Sequence, residues 1–551
     1  MKKLWTRVAA GASLTGALGV PAVVASPAAH AAVWSPTATL AEPTGGLTDL
    51  GPLPASTPLS VTVALKLQNM AALDHDIATG TVLTPSQFDS RFAPGAAAVQ
   101  QVVSYLRGQG FSGVSVSANH ALVTASGTAG QAENAFHTSL RSLKLGARDV
   151  FANVTGVSVP AALGGIVGSV LGLNDVGSMT AAPAPSANPA SSCLLTGVGY
   201  PCTYNPQGFW NAYDAAGAPT GSSTPIAIFA EGDLTQVVKD LRTEETANNL
   251  PQVPVSVVPT GPASSDTSGQ DEWDMDTQYS TGMAQSVSQL YIYDATSLTD
   301  SDIAREVNSF ASQDVAKAAS ASFGECEYQA YLDGSMLADD QAFAQAAAQG
   351  QTVFASAGDT GGFCPLAPNN GVPLGAPDVN YPASSPYVVS VGGTTLVTNS
   401  DGSYNQETAW LAGGGGLSLF EPSPSWQAGD GSAYTNLSTA CAVQGCGRTV
   451  PDVANDADPN SGANVYISGT PTGVGGTSLS SPLTLGEWAR LESNSGNTLG
   501  FASPLLYKAL GTAAFHDITL GDTGPYPATP GYDLATGIGT MDVAQAVKTI
   551  H

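Results

Sequence analysis

The sequence predicts an α/β fold, a parallel sheet covered by helices that is preceded by a smaller α/β region. Apolar strand-like runs alternate with helical runs from about residue 225 onward, which is typical of a parallel sheet covered on both faces. A Pro/Ala/Ser stretch at residues 179–192 separates this part from the one before it. With 551 residues, the chain is long enough for two domains.

Residues 1–31 have the pattern of an export signal. Lys2, Lys3 and Arg7 form a positive start, residues 8–25 are apolar and small, and Ala29-His30-Ala31 supplies an A-x-A cleavage site. No later stretch has 18 uninterrupted apolar residues, so no membrane attachment is expected after signal removal. We therefore expect a secreted, extracellular protein.

Residues 32–178 form the first predicted domain, with an α/β core at about 58–175. Its predicted strands are 59–65, 114–116 and 121–125, and its predicted helices are 68–77, 95–109 and 129–140. Residues 179–192, MTAAPAPSANPASS, then form a linker. We expect proteolytic maturation within it, because such a sequence packs poorly.

Residues 193–551 form the second predicted domain, in which strands and helices alternate. The predicted strands are 226–229, 253–258, 290–293, 319–323, 352–355 and 388–391. Helices are predicted at 237–247, from about 272, and at 483–491. Parallel neighbours are expected because helical crossovers separate several of these strands.

The chain is strongly acidic, with 17 Lys and Arg against 44 Asp and Glu and a net charge of −27. From residue 193 onward, 36 acidic residues face only 8 basic ones. This balance argues against a basic surface for nucleic acid, and no nucleic-acid partner is expected.

All six cysteines lie in the second predicted domain, and an even number in an exported chain favours disulfides over a metal cluster. Pairs close in sequence can bond locally, which leaves two distant cysteines for each other. The pairing we predict, one of fifteen possible, is Cys193–Cys202, Cys441–Cys446 and Cys326–Cys364.

The stretch from Gly476 to Pro482, GTSLSSP, contains the candidate nucleophile Ser478. It follows a Gly-rich turn and precedes a helical run, so backbone N–H groups at the helix start could stabilise a developing oxyanion. A capping serine in a loop is the alternative for a bare Gly-Thr-Ser. The longer pattern Gly-Thr-Ser-x-Ser-x-Pro resembles the nucleophile motif of the subtilisin-like fold.

A Ser-His-Asp triad is excluded, because no histidine lies in a suitable position. The second domain contains only His516 and His551, both after Ser478, whereas subtilisin-type enzymes place His before Ser. Another base must therefore accept the serine proton.

Three acids are the candidates for this proton chemistry. Glu272 and Asp276 share one helix face at i and i+4, while Asp274 points away. Two close carboxyls split their titrations, so one can be a base in acid while the other holds a proton. Asp359 follows an apolar strand and, when protonated, could donate a hydrogen bond to the oxyanion. A solvated acidic helix face is the alternative for the first two.

These motifs resemble the sedolisin (serine-carboxyl peptidase) family, which includes the kumamolisins. The stretches that carry the resemblance are Tyr204-Asn205-Pro206, Gly324-Glu325-Cys326-Glu327, Ser356-Ala357-Gly358-Asp359, Gly392-Gly393-Thr394-Thr395, Pro451-Asp452-Val453-Ala454 and Gly476-Thr477-Ser478. The resemblance implies a subtilisin-like catalytic domain preceded by a ferredoxin-like activation propeptide.

By this resemblance, Ser478 is the nucleophile, Glu272 its general base and acid, Asp276 the orienting carboxyl, and Asp359 the oxyanion acid. It implies a secreted, acid-acting endopeptidase made as a zymogen. Protein or peptide substrates would be its partners, together with its own propeptide as intramolecular inhibitor and chaperone. A tripeptidyl-peptidase of the same family is the alternative, and a non-catalytic exported binding protein is a further one.

The resemblance also implies one structural calcium ion near the C-terminus. Phe515 to Thr519 and Gly531 to Asp533 resemble the family's calcium loop. The implied ligands are the carboxylates of Asp517 and Asp533 and the carbonyls of Ile518, Thr529 and Gly531, hard oxygens that suit Ca²⁺. Thr529 stands where the family commonly has glycine.

Two positions depart from the kumamolisin-like pattern. Glu231 lies one position away from a further glutamate of that pattern, and Phe323 replaces a tryptophan. An extended carboxyl network is therefore not predicted, and Glu231 is left out of the site.

Overall fold

The N-terminal region, residues 34–181, is built around antiparallel strands. The computed structural model describes residues 33–181, 184–185, 203–364, 377–427 and 447–551 of the chain. The strands of this region are β1 (Trp34–Pro36), β2 (Thr48–Pro52), β3 (Pro58–Leu65), β4 (Ser112–Val116), β5 (Leu122–Thr128), β6 (Leu140–Leu145), β7 (Arg148–Asn153), β8 (Ser158–Pro160) and β9 (Val167–Leu171). Its helices are α1 (Met70–Ala78), α2 (Pro85–Arg91), α3 (Ala96–Gly108) and α4 (Ala129–Phe136).

The main sheet of this region confirms the predicted ferredoxin-like arrangement. Along the chain the order is β3, α3, β4, β5, α4, β9, and in the sheet it is β4-β5-β3-β9 with antiparallel neighbours. One correction concerns the helix predicted at 129–140. It ends at Phe136 because His137 takes a left-handed conformation with φ of 46°, and β6 begins at Leu140.

The C-terminal region, residues 203–551, alternates strands and helices as predicted. After β10 (Ala184–Pro185), its strands are β11 (Pro225–Glu231), β12 (Val255–Pro259), β13 (Gln289–Ala295), β14 (Ala318–Ala321), β15 (Glu325–Cys326), β16 (Thr352–Ser356), β17 (Asn380–Tyr381), β18 (Val389–Thr398), β19 (Tyr404–Ala409), β20 (Gly416–Pro422), β21 (Gly447–Val450), β22 (Val453–Asp456), β23 (Ala463–Ile467), β24 (Thr470–Gly475), β25 (Phe515–His516) and β26 (Thr540–Met541). Its described helices are α5 (Pro206–Ala212), α6 (Thr235–Ala247), α7 (Gln270–Ala284), α8 (Asp300–Gln313), α9 (Glu327–Asp333), α10 (Ser335–Ala348), α11 (Thr477–Asn494), α12 (Ser503–Lys508) and α13 (Val543–Thr549).

An eight-stranded sheet forms the centre of this region. Its order is β12-β13-β11-β14-β16-β18-β19, and β22 also pairs with β18. All pairings are parallel except that of β19, which is an antiparallel edge strand. Strands β14 and β16 are buried throughout because helices, including α11, pack on the sheet. The predicted helix-covered parallel sheet is therefore confirmed.

The sheet places the chain segments that follow β14 and β16 next to each other. The two strands are parallel neighbours, with Ala321 opposite Ala355. Their carboxyl ends therefore meet at one edge, where Ser322 follows β14 and Asp359 follows β16. Helices α7 and α11 pack closely against each other beside this edge.

The N-terminal region packs against α8 and α10 of the C-terminal region. Leu122 and Leu171 from the N-terminal sheet share an apolar cluster with Ala304 of α8 and Ala338 of α10. Asn119 adds polar contacts, since its Nδ2 donates to Asn308 Oδ1 and Gln345 Oε1, both at 2.7 Å. Residues 34–551 consequently form one compact body.

One of the three predicted disulfides can be assessed, and it is confirmed. Cys326 and Cys364 are bonded, with their Cα atoms 5.5 Å apart. The other four cysteines lie outside the described residues, as do the predicted signal and most of the linker. Within the described ranges, no helix combines the length and apolar character needed to cross a bilayer.

Candidate active site

Ser478 lies in the first turn of α11 and borders a cleft. Helix α11 begins at Thr477, six residues before the predicted start, and it contains Pro482. Because proline has no N–H, the Ser478 carbonyl four residues earlier lacks its usual helical partner. The Ser322 hydroxyl lies 3.2 Å from that carbonyl oxygen and can donate to it.

Glu272 and Asp276 lie one turn apart on α7, and both side chains are fully buried. Burial raises the pKa of Glu272 well above its usual range, and the negative charge of Asp276 raises it further. The nearby Ser478 hydroxyl lowers the pKa of Glu272, although neither Glu272 carboxylate oxygen has a hydrogen-bond partner of good geometry among the described residues, and Asp359 adds a smaller upward contribution. Glu272 is therefore the group on which Ser478, Asp276 and Asp359 all act.

Asp276 is held by a serine from the neighbouring strand end. Ser322 Oγ donates to Asp276 Oδ1 at 2.6 Å, while burial raises the pKa of Asp276 well above its usual range. Asp274 belongs to another group, as the helical spacing predicts. Its Oδ2 accepts from Gln270 Nε2 at 3.3 Å, and burial, with the charge of Asp240, raises its pKa to about 8.

Asp359 is anchored to the residue that precedes the candidate nucleophile. Its Oδ1 accepts hydrogen bonds from both the backbone N–H and the hydroxyl of Thr477, each at 2.7 Å. These bonds lower the pKa of Asp359, but burial is the larger effect and raises it overall. Both bonds use Oδ1, so Asp359 Oδ2 takes no part in the hydrogen bonds with Thr477.

The cleft beside Ser478 has a volume of about 430 Å³. It is lined by Ser322, Gly324, Ser356, Gly358, Asp359, Asn380 and Ser478 of the C-terminal region, and by Gly177, Ser178 and Thr180 of the N-terminal region. Thr180 forms an antiparallel backbone bridge with Gly324, with N···O distances of 2.9 and 3.1 Å. The start of the predicted linker thus lies in the cleft, and further along β10 pairs with β24, just before Ser478.

Ser322 and Thr477 were missed as functional candidates. Thr477 carried a signal, because it lies inside the nucleophile motif, but its bonds to Asp359 depend on a residue 118 positions away. Ser322 follows an apolar strand, and nothing local distinguishes it from other serines. The positions of the two histidines agree with the reasoning that excluded a triad: His516 stacks on Tyr404 with ring centroids 3.8 Å apart, and His551 is the last residue.

Glu231 lies at the end of β11 and remains separate from the serine site. Its pKa is raised to about 7, first by burial and then by the charges of Asp266 and Asp294. Phe323, which replaces the tryptophan, packs near Phe229 with ring centroids 6.5 Å apart. The charges that act on Glu272 come from other residues, so leaving Glu231 out of the site agrees with these contacts.

The residues of the predicted calcium loop come together near β25 and β26. Gly531 N–H donates to both oxygens of Asp517, at 3.0 and 3.2 Å, and Thr529 N–H donates to Asp533 Oδ2 at 2.7 Å. Among the described backbone hydrogen bonds, none ends on the carbonyl of Ile518, Thr529 or Gly531. Two carboxylates and three available carbonyls are therefore present in one loop, a donor set that fits Ca²⁺.

Two family models match the chain, one in its N-terminal part and one in its C-terminal part. The model described as "Pro-kumamolisin, activation domain" matches residues 45–176. The model described as "Subtilase family" matches residues 263–510. The two matches correspond to the N-terminal and C-terminal regions seen in the structure.

Individual relatives give the same assignment over most of the chain. Sedolisin from Pseudomonas sp. (strain 101) is 37% identical over 572 aligned positions, which cover 96% of this chain and 95% of that protein. Xanthomonalisin from Xanthomonas sp. (strain T-22) is 34% identical over 90% of this chain and 65% of that protein. Tripeptidyl-peptidase 1 of Rattus norvegicus is 33% identical but covers only 38% of either chain.

A solved structure is similar as well. Pseudomonas sedolisin, a serine-carboxyl proteinase complexed with two molecules of pseudo-iodotyrostatin, superposes with a TM-score of 0.58 at 37% identity. The superposition covers 64% of this chain and 98% of that chain.

Proposed function

Because the chain belongs to the sedolisin family of serine-carboxyl peptidases, we propose that it is a secreted, acid-acting endopeptidase made as a zymogen. Its nucleophile is Ser478, its general base and acid Glu272, its orienting carboxyl Asp276, and its oxyanion acid Asp359. The observation that carries this proposal is the convergence of Ser478, Asp276 and Asp359 on the buried carboxyl of Glu272. Protein or peptide chains entering the cleft are the substrates.

Acylation begins when Ser478 Oγ attacks the carbonyl carbon of the scissile bond and its proton passes to Glu272. The C–N bond then breaks, and Glu272 returns the proton to the leaving amine. Water attacks the resulting ester in the second half, giving a proton to Glu272, and Ser478 recovers it as the acid product leaves. One peptide bond and one water thereby yield one carboxylic acid and one amine.

Asp276 supports Glu272 in this cycle because the two carboxyls are buried together and cannot both be ionised cheaply. One shared proton leaves the other carboxyl free to accept the proton of Ser478. Ser322, which bonds to Asp276 and lies within hydrogen-bonding distance of the Ser478 carbonyl, joins the base to the start of α11.

Asp359 stabilises the negative charge that develops on the substrate oxygen. When protonated, it donates through the oxygen that Thr477 does not occupy. Burial raises its pKa and so widens the pH range in which it keeps this proton. Activity requires a protonated Asp359 together with a Glu272/Asp276 pair that can accept a proton, which gives a bell-shaped pH profile in acid.

The zymogen proposal draws support from the path of the linker. Thr180 occupies the cleft by pairing with Gly324, and β10 pairs with β24 beside the nucleophile. Antiparallel pairing along a cleft is how an extended peptide substrate binds, so the linker excludes substrate until it is cut. The N-terminal region packs on α8 and α10, which in turn contact the parallel sheet. Because the long-range pairings of such a sheet form slowly, this packing is consistent with a chaperone role.

One structural calcium ion belongs to the proposal, held by Asp517, Ile518, Thr529, Gly531 and Asp533. The ion would neutralise the two carboxylates and bind the loop between β25 and β26 to the rest of the region. It takes no part in the chemistry at Ser478.

The alternative, a tripeptidyl-peptidase, is less well supported because the rat relative of that name covers only 38% of this chain. Cleavage of an oligopeptide blocked at its N-terminus distinguishes the two activities. An endopeptidase cuts it internally, whereas a tripeptidyl-peptidase requires the free amine.

The test of the proposal is proteolysis of casein at acid pH by the wild type and by Ser478→Ala, Glu272→Gln and Ser265→Ala. We expect the first two variants to lose activity by about 10⁴-fold or more, as members of one proton-transfer unit do. Ser265 is exposed and does not line the cleft beside Ser478, so Ser265→Ala serves as the matched control. Near-normal turnover in Glu272→Gln combined with loss in His516→Ala would contradict the assignment.

A further inference from the structure

A second group of acids lies where the N-terminal and C-terminal regions meet. Asp300 begins α8, Glu325 lies in β15 and Asp333 ends α9. Each side chain is buried, with 7%, 9% and 4% of the residue exposed. One carboxylate oxygen from each lies within 4.8 Å of those of the other two. We call Asp300, Glu325 and Asp333 the seam triad.

The charged groups that act on the seam triad are further carboxyls. Asp339, which is fully buried, acts on both Asp300 and Glu325, and Glu42 of the N-terminal region acts on Glu325. Neither carboxylate oxygen of Asp339 has a hydrogen-bond partner among the described residues. Buried carboxylates without a positive partner are costly, so the arrangement points to a cation that neutralises them.

A small cavity adjoins this group and has room for one ion. Its volume is about 10 Å³, close to what a single water occupies. Asp300 and Asp333 line it together with Asn174 of the N-terminal region. Asn174 Oδ1 is buried there and accepts no hydrogen bond from a described residue.

We propose that the seam triad, with Asn174 Oδ1, binds one divalent cation of the calcium type in the precursor. All four donors are hard oxygens, three of them carboxylates, which is the ligand chemistry that Ca²⁺ prefers. Because Asn174 belongs to the N-terminal region and the triad to the C-terminal region, the ion bridges the two. This site is separate from the C-terminal loop of Asp517 and Asp533.

The test counts calcium ions in the full-length Ser478→Ala protein, which cannot process itself. Equilibrium dialysis and calorimetric titration with Ca²⁺ alone at neutral pH give the stoichiometry. We expect Asp333→Asn to bind one ion fewer than its parent, and the matched control Asp401→Asn, an exposed acid, to bind the same number. The variant Asp517→Asn should lose only the ion of the C-terminal loop. Comparing it with Asp333→Asn therefore shows which of the two proposed sites binds Ca²⁺.

Asn174→Ala covers the case in which Asp333→Asn does not fold. This variant should keep the stoichiometry at saturation but weaken one Ca²⁺ site by about tenfold or more, as loss of a ligand does. Equal stoichiometry in the parent and Asp333→Asn, or unchanged affinity in Asn174→Ala, overturns the proposal.

Discussion

Glu487 on α11 provides a direct test of how burial of carboxyls sets the pH dependence of stability. Its side chain is fully buried, Oε1 accepts from Asn455 Nδ2 at 3.0 Å, and Oε2 has no partner among the described residues. Burial raises its pKa from 4.5 to about 8, and the nearby Arg490 only partly offsets this effect. The substitution Glu487→Gln keeps the size and the acceptor but removes the ionisation.

The direction of the pH dependence follows from how many protons Glu487 binds in the folded and in the unfolded protein. Between about pH 5 and 7 the folded protein keeps the Glu487 proton, whereas the unfolded chain releases it. The folded state therefore binds more protons, and the free energy of unfolding falls as pH rises, by about 1.4 kcal/mol per pH unit for this group. Over two pH units the ionisation linked to Glu487 lowers the free energy of unfolding by roughly 2 to 3 kcal/mol, and the glutamine variant does not show this loss.

Urea unfolding of the Ser478→Ala protein at pH 5, 6 and 7, with and without Glu487→Gln, measures this difference without self-digestion. We expect the variant to gain stability relative to its parent as pH rises, by roughly 2 to 3 kcal/mol at pH 7 compared with pH 5. Asp214→Asn, at an exposed position, is the control and should leave the pH dependence unchanged. Parallel pH profiles for Glu487→Gln and its parent would refute the reasoning.

Two further predictions concern catalysis. Asp359→Ala should lower kcat by roughly 10²- to 10³-fold, because the oxyanion loses its donor, with a smaller change in KM; steady-state kinetics at acid pH checks this, and an unchanged kcat would contradict it. Ser322→Ala should lower kcat by about tenfold and shift the acid limb of the pH profile upward, because Asp276 loses the bond that lowers its pKa; an unshifted limb would show that Ser322 is only structural. A third concerns maturation: transfer of the precursor to acid should create a new N-terminus between residues 179 and 203 only when Ser478 is intact, as N-terminal sequencing would reveal, and a stable full-length chain with full activity would refute it.

Local patterns were sufficient for the type and order of most elements. Apolar runs such as 226–229 and 352–355 became β11 and β16, because a strand buried on both faces needs a continuous apolar sequence. The residues at which elements begin and end were predicted less accurately than the type of element. The helix of Ser478 begins at Thr477 rather than 483, since tertiary contacts such as the bonds from Thr477 to Asp359 hold its first turn in helical conformation before the internal Pro482.

The catalytic candidates could be proposed from sequence because each lies in a recognisable local setting. Glu272 and Asp276 share a helix face, Ser478 opens a helix and Asp359 follows an apolar strand, and the absence of a suitable histidine required a carboxyl base. The roles of these four residues remain proposals, although the structure brings them together around Glu272.

The sequence by itself was sufficient for the α/β fold class, because helical and strand periodicity act over short distances, and its motifs were sufficient for the resemblance to the family. Only the tertiary structure decided which distant groups meet. Ser322 reaches Asp276 and Thr477 reaches Asp359 because parallel strands bring their carboxyl ends to one edge. Asp300, Glu325 and Asp333 come together from three different elements, and Asn174 shares a cavity with two of them, which is a relation that no local pattern encodes.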